Sequence, residues 1–200
     1  MKFVLATQNP KKLEEMRSIL EGLGVEIVSE AELGVHIEVE ETEDTFAGNA
    51  ALKARAVRDA TGLSAIADDS GLCVDALGGG PGVHSARFGG EGLDDQGRYR
   101  LLLDMLRGQG TRAAHFHTSI CCAFAGGDEL TAEGECAGTI AFVPMGDNGF
   151  GYDPVFFVPE LRKTFAQLTA EEKAAVSHRG RALRAFRDAL EKYLAENGQG

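Results

Sequence analysis

Apolar and polar positions along this chain follow two periods. Residues 2–6 (KFVLA) and 25–29 (VEIVS) are short apolar runs with the length of buried strands. Between them Leu13, Met16, Ile19, Leu20 and Leu23 recur at helical spacing. Asn9 is placed to cap that helix, Pro10 suits its first turn, and Gly22 or Gly24 ends it. HIEVEE at 36–41 alternates, then breaks into acidic residues, and Thr45 to Thr61 read as a second helix stopped by Gly62. LSAIA at 63–67 is a strand, and LCVDAL at 72–77 reads as a further one. DDQGRYRLLLDML at 94–106 is helical. HFHTSICCAFA and ELTAEGECAGTIAFV alternate on either side of Gly126, Gly127 and Asp128, the signal of a hairpin. TAEEKAAV opens on a capping box, Thr169 with Glu172. The last helix runs from about Ser177 to Asn197, with Leu183, Phe186, Leu190, Tyr193 and Leu194 on one stripe.

The strand–helix–strand opening is suited to parallel pairing and the middle hairpin to antiparallel pairing, so the expected class is α/β with a mixed sheet flanked by helices. No linker, repeat or low-complexity segment divides residues 1–200, which read as a single domain, with two lobes about a cleft. Composition adds limits. Apolar content of 44% and charged content of 26% are those of a soluble globular protein. No apolar run reaches the roughly 18 residues of a membrane span. Thr7, Gln8 and Asn9 cut the N-terminal apolar run too early for a signal peptide, so a cytoplasmic protein is expected. A net charge of −11 argues against broad nucleic-acid or anionic-membrane binding, but not against a small anion held by local cations. Cys73, Cys121, Cys122 and Cys136 show no CxxC spacing and read as reduced, buried thiols.

Cations stand where a free helix disfavours them. In TQNPKK, Lys11 and Lys12 occupy the first turn of a helix, where positive charge is unfavourable unless an anion binds at that end. The plainer reading is a capped helix with solvated lysines. Lys53 lies on the apolar stripe of its own helix, either snorkelling out or pointing toward an anion. His178 and Arg179 open the last helix, again at the wrong end for cations. Carboxylates are the other half of the chemistry. Asp68 and Asp69 follow an apolar strand directly, and Glu38, Glu40, Glu41, Glu43 and Asp44 precede the Lys53 helix. One or two of these acids suffice for a Mg2+ site completed by substrate phosphates and water, and such a cation would let adjacent aspartates coexist. In GDNGFGYDPVF, glycines frame Phe150 and Tyr152, residues suited either to stacking on a base or to packing beside a turn. His115 and His117 share one strand face, but no third metal ligand is placeable beside them.

TQNPKK, ADDSGLCVDALGGGPGVHSARF, FGYDPVF and SHRGRAL occur in this order, and together they resemble the inosine triphosphate pyrophosphatase family over nearly the whole chain. The resemblance implies an elongated α/β fold with a central mixed sheet, two lobes and an active-site cleft between them, in a homodimer. It implies Mg2+-dependent hydrolysis of ITP, dITP and XTP to monophosphate and pyrophosphate. On this resemblance Thr7, Asn9 and Lys12 form the phosphate loop and Lys53 contacts phosphate. Glu41 holds metal, Asp69 is the catalytic acid that also faces the metal, and Ser70 is a substrate contact. Phe150, Gly151, Tyr152 and Asp153 match the base-binding loop, and Lys173, His178 and Arg179 match the remaining nucleotide contacts. Gln8 stands where glycine is frequent and His84 where tyrosine is frequent. Glu40, beside Glu41, is the alternative metal acid. A broader pyrophosphatase acting on other modified or ordinary nucleotides, and a nucleotide-binding protein without catalysis, are the competing functions.

Overall fold

The computed structural model describes residues 1–197. In chain order the regular elements are β1 (Lys2–Leu5), α1 (Pro10–Ile19), β2 (Glu26–Ser29), α2 (Phe46–Thr61), β3 (Ser64–Val74) and α3 (Asp95–Met105). They continue with β4 (Ala113–Ala123), β5 (Glu129–Ile140), β6 (Phe156–Val158), β7 (Lys163–Thr164), α4 (Ala170–Val176) and α5 (His178–Asn197). The strands form one sheet in the order β2-β1-β3-β4-β5-β6-β7. β1 pairs in parallel with both β2 and β3, Val4 lying opposite Val28 and Ala65, whereas β6 is antiparallel to β5 and β7. The sheet is therefore mixed, in an α/β fold.

The chain divides into two compact units. The first comprises Met1–Asp69, Thr118–Gly134 and the chain from Ala182 onward; the second comprises Ser70–His117 and Glu135–Arg181. In the first unit the period of two sorts the strands by face. Phe3, Leu5, Ile27 and Ile66 pack with Met16 of α1, with Leu20 just after it, and with Leu183, Phe186 and Leu190 of α5. The intervening positions Val4, Val28 and Ala65 pack with Val57 of α2, and Ala67 packs with Ala50 and Ala54. The second unit is built on Leu72, Val74, Leu102, Leu106 and an aromatic group in which Phe116, Phe156 and Phe165 have ring centroids 4.7–5.7 Å apart.

Local chemistry fixes the helix ends. Asn9 Oδ1 accepts from the Lys11 amide and Pro10 opens α1. The Thr45 hydroxyl accepts from Gly48, and Gly62 at φ 69° closes α2 in the left-handed region. α1 stops at Ile19, ahead of both Gly22 and Gly24. One expectation needs correction. LSAIA and LCVDAL are not separate strands: β3 runs unbroken from Ser64 to Val74, with Asp68 and Asp69 inside it. HIEVEE alternates in burial, with Ile37 and Val39 half-buried and His36, Glu38 and Glu40 exposed, yet it joins no ladder. The four cysteines are free, Cys73 half-buried and the others buried, and burial pushes their thiol pKa values up.

Candidate active site

The adjacent aspartates do not share a face. Asp68 alternates with Ile66 toward the α1 side of β3, and Asp69 alternates with Ala67 toward the α2 side. Each meets its own lysine. The Lys12 ammonium donates to Asp68 Oδ2 at 2.7 Å, with the Asp68 side chain only 3% exposed. The cation in the first turn of α1 is thus compensated by a carboxylate from β3. Thr7 and Asn9 shape the loop before it, the Thr7 hydroxyl accepting from the Asn9 amide at 3.2 Å.

On the other face, Lys53 of α2 lies 2.7 Å from Glu41 Oε1 and 3.7 Å from Asp69 Oδ1. Its ammonium therefore serves two carboxylates at once. Glu41 belongs to the irregular strap between β2 and α2, whereas Glu40 is exposed and lines a pocket of about 880 Å³ with Thr7, Gln8, His36, Glu38 and Lys53. Gln8 Nε2 and His36 Nδ1 lie 3.0 Å apart at that pocket. Asn49, fully buried one turn before Lys53, donates to Asp69 Oδ2 at 3.2 Å. Asn49 was not among the expected site residues. Its sequence signal was a polar residue four positions before Lys53 on the same apolar face.

Glu41 and Asp69 are hard oxygen donors gathered about a single positive charge. Among the described residues no group of three or more His, Cys, Asp or Glu forms a ready-made metal cage. A two-carboxylate set fits Mg2+, which takes its remaining ligands from phosphate and water. His115 and His117 sit on one face of β4, and His117 pairs with Glu135 at 2.9 Å.

In the second unit, which begins at Ser70, the glycine-framed loop holds its two aromatics differently. Phe150 is 73% exposed. Tyr152 is buried, donating its hydroxyl to Ser85 O at 2.8 Å, and burial raises its pKa to about 12. Phe150 alone of the pair offers a free ring face. Asp153 accepts from the Phe150 amide at 2.9 Å and from Lys173 at 2.5 Å, while Asp95 of α3 accepts from the Gly151 amide at 2.8 Å. A Cβ on Gly149 would lie 1.9 Å from Asp153 Oδ2, so the loop closes only with glycine there. Lys173 also stands 5.1 Å from the Phe150 ring centroid. At the start of α5 the Ser177 hydroxyl caps Gly180, the His178 ring stacks on Phe116 at 4.6 Å, and Arg179 is half-buried.

Burial pushes the Asp153 carboxyl above its ordinary 3.8, against the opposing pull of Lys173. Ionising Asp153 therefore costs folding free energy. That cost begins as the pH rises past the unfolded value and is complete above the folded one. Lys173→Met removes the compensation. The variant should lose about 3–5 kcal/mol at pH 7, as for an orphaned buried charge, and much less near pH 4. Asp153→Asn on that background should abolish the pH dependence. Thermal melts of both variants from pH 4 to 8 test this; a pH-independent loss in Lys173→Met refutes it.

The fold and these contacts can be set beside known proteins. The model of the Ham1 family matches residues 3–189. This chain belongs to the Ham1 family. Similar relatives include the dITP/XTP pyrophosphatase of Exiguobacterium sp., 49% identical over 184 residues (92% of this chain, 94% of that one). That of Yersinia pseudotuberculosis is 50% identical over 193 residues (94% and 98%). Among solved structures, a HAM1 protein from Coxiella burnetii matches with a TM-score of 0.90 at 41% identity, covering 98% of this chain and 99% of that one. A nucleoside-triphosphatase / dITP/XTP pyrophosphatase from Mycobacterium abscessus matches at 0.81 and 48% identity, covering 92% and 98%.

Proposed function

We propose that this Ham1-family chain hydrolyses noncanonical purine nucleoside triphosphates, ITP, dITP and XTP, to the monophosphate and pyrophosphate. The observation that carries the reading is Asp69, a nearly buried carboxylate held by Asn49 and Lys53 beside Glu41. Phosphate binding alone calls for cations and amides, not for a carboxylate fixed among them.

In this reading Thr7, Asn9, the N-terminal end of α1 and Lys12 bind the phosphates. Asp69 orients the attacking water and takes its proton as the new oxygen–phosphorus bond forms and pyrophosphate leaves. Lys53 sits where negative charge grows on the transferring group. Glu41 and Asp69 hold Mg2+, whose contribution when bound is to neutralise phosphate charge and polarise the phosphoryl oxygen. Phe150 stacks on the purine, within the loop that includes Gly151, Tyr152 and Asp153 and beside Lys173. Ser70 contacts substrate next to Asp69. His178 and Arg179 read the 6-oxo edge. A donor aimed at that oxygen loses its partner and meets another donor when the base carries a 6-amino group.

The reading also includes a homodimer, taken from the family resemblance, and a cytoplasmic setting, expected from the N-terminal sequence. The highly exposed Phe142 and Val143, which line a second pocket of about 670 Å³, support self-association. The deciding experiment is pyrophosphate release from ITP, dITP, XTP, GTP and ATP, with Mg2+ and with excess chelator. The expected result is Mg2+-dependent release favouring the three noncanonical substrates over ATP about 100-fold or more. Equal use of ATP and GTP would establish a broad pyrophosphatase instead. Binding of ITP without release would establish a nucleotide-binding protein.

A further inference from the structure

We propose that Asn49 is a positioning residue for catalysis, locking the Asp69 carboxylate and the Glu41-bearing strap into one register. The proposal rests on the reading of Asp69 as the base. Asn49 lies in the first turn of α2 with its side chain fully buried. A primary amide has two N–H donors and one carbonyl acceptor, and here all are engaged. Nδ2 donates to Asp69 Oδ2 and to the Glu43 carbonyl, both at 3.2 Å, and Oδ1 accepts from the Glu43 amide at 3.0 Å.

The two bonds to Glu43 fix which way the amide faces. Turning it over would set Oδ1 against the Asp69 carboxylate, oxygen on oxygen, and would break both strap contacts. The donor aimed at Asp69 is thus held by the backbone of the strap. That strap has no ladder to hold it in place. It passes so close over α2 that a Cβ on Gly48 would lie 2.8 Å from the Glu43 Cβ. Glu41, two residues before Glu43, is tied to the same helix through Lys53 at 2.7 Å. Asn49 is therefore the shared element between the carboxylate on β3 and the segment carrying its partner acid. A reacting group misplaced by an ångström can cost about 100-fold in rate, which is the scale of error this lock prevents.

Three measurements test the proposal on the full-length protein: steady-state kinetics with ITP, amide hydrogen exchange over residues 38–45, and thermal melting. Asn49→Ala should lower kcat about 10- to 100-fold with KM for ITP changed by less than about threefold, since no phosphate or base contact is removed. The Glu43 amide should lose its exchange protection. Asn49→Asp is isosteric and retains an acceptor for the Glu43 amide, but has no donor for Asp69. It should lose kcat as the alanine variant does while the Glu43 amide stays protected. A merely structural role predicts activity falling only with the folded fraction and no such split. Folded Asn49→Ala with kcat within twofold of the parent overturns the proposal, as does an unchanged Glu43 exchange rate. If Asp69→Asn turned over normally, the base assignment itself would fail. If Asp69→Asn is inactive and Asn49→Ala is normal, only the positioning role is lost.

Discussion

Asp69→Asn is expected to stop turnover while leaving the fold and nucleotide binding largely intact. The Asp69 side chain is 10% exposed, receives a hydrogen bond from Asn49 at 3.2 Å and lies 3.7 Å from the Lys53 ammonium. Asparagine preserves its size, so the α2 face of β3 keeps its packing. Lys53 keeps Glu41 as a counter-charge at 2.7 Å, so the helix is not left with an orphaned cation. What disappears is the negative oxygen able to accept a proton, together with one of the two acids proposed for the metal. Loss of a positioned general base costs about 10²–10⁴ in rate, and the weakened metal site places the expected loss of kcat at the upper end. Pyrophosphate release and calorimetric ITP binding on the same preparation check both halves. A folded variant with near-parental kcat removes Asp69 from the mechanism.

The sequence made the longer strands, the helix starts and the capped loop before α1 readable because each rests on local chemistry: apolar period, capping residue, turn glycine. Thr45 and Gly62 bracket α2 as the sequence suggested. The limits of the reading are equally physical. Asp68 and Asp69 looked like the end of a strand because β-propensity penalises aspartate. Lys12 and Asn49, far away in sequence, supply the partners that let β3 continue through them. Adjacency suggested a divalent cation and lysines around both aspartates; strand pleating sends the two to opposite faces, each with its own lysine. HIEVEE shows that alternation reports one buried face without requiring a paired edge. β6 and β7, at three and two residues, are too short to carry a period at all. Phe150 and Tyr152 have the same local surroundings in sequence. Only the Ser85 carbonyl, brought in by the tertiary fold, distinguishes the buried ring from the exposed one.

Lys53→Met should produce two effects of opposite sign. Lys53 lies on the apolar stripe that includes Ala50, Ala54 and Val57, and its side chain is 19% exposed. Methionine supplies a similar stem, so the stripe remains filled and the fold is retained. Catalysis should suffer, because a cation placed at the transferring phosphate contributes mainly in the transition state; the expected fall in kcat/KM is about 10²–10³-fold. Cation binding without nucleotide should instead improve. In the parent the ammonium lies 2.7 Å from Glu41 and 3.7 Å from Asp69, already neutralising the pair a divalent ion would need. Removing it leaves two carboxylates repelling each other, a state that a divalent cation relieves. Mn2+ titration of nucleotide-free protein by electron paramagnetic resonance should therefore show tighter binding in Lys53→Met than in the parent. Lys53→Arg, which retains the charge, should not show the gain. Unchanged kinetics would return Lys53 to a snorkelling surface cation, and weaker Mn2+ binding would mean that Glu41 and Asp69 are not the metal pair.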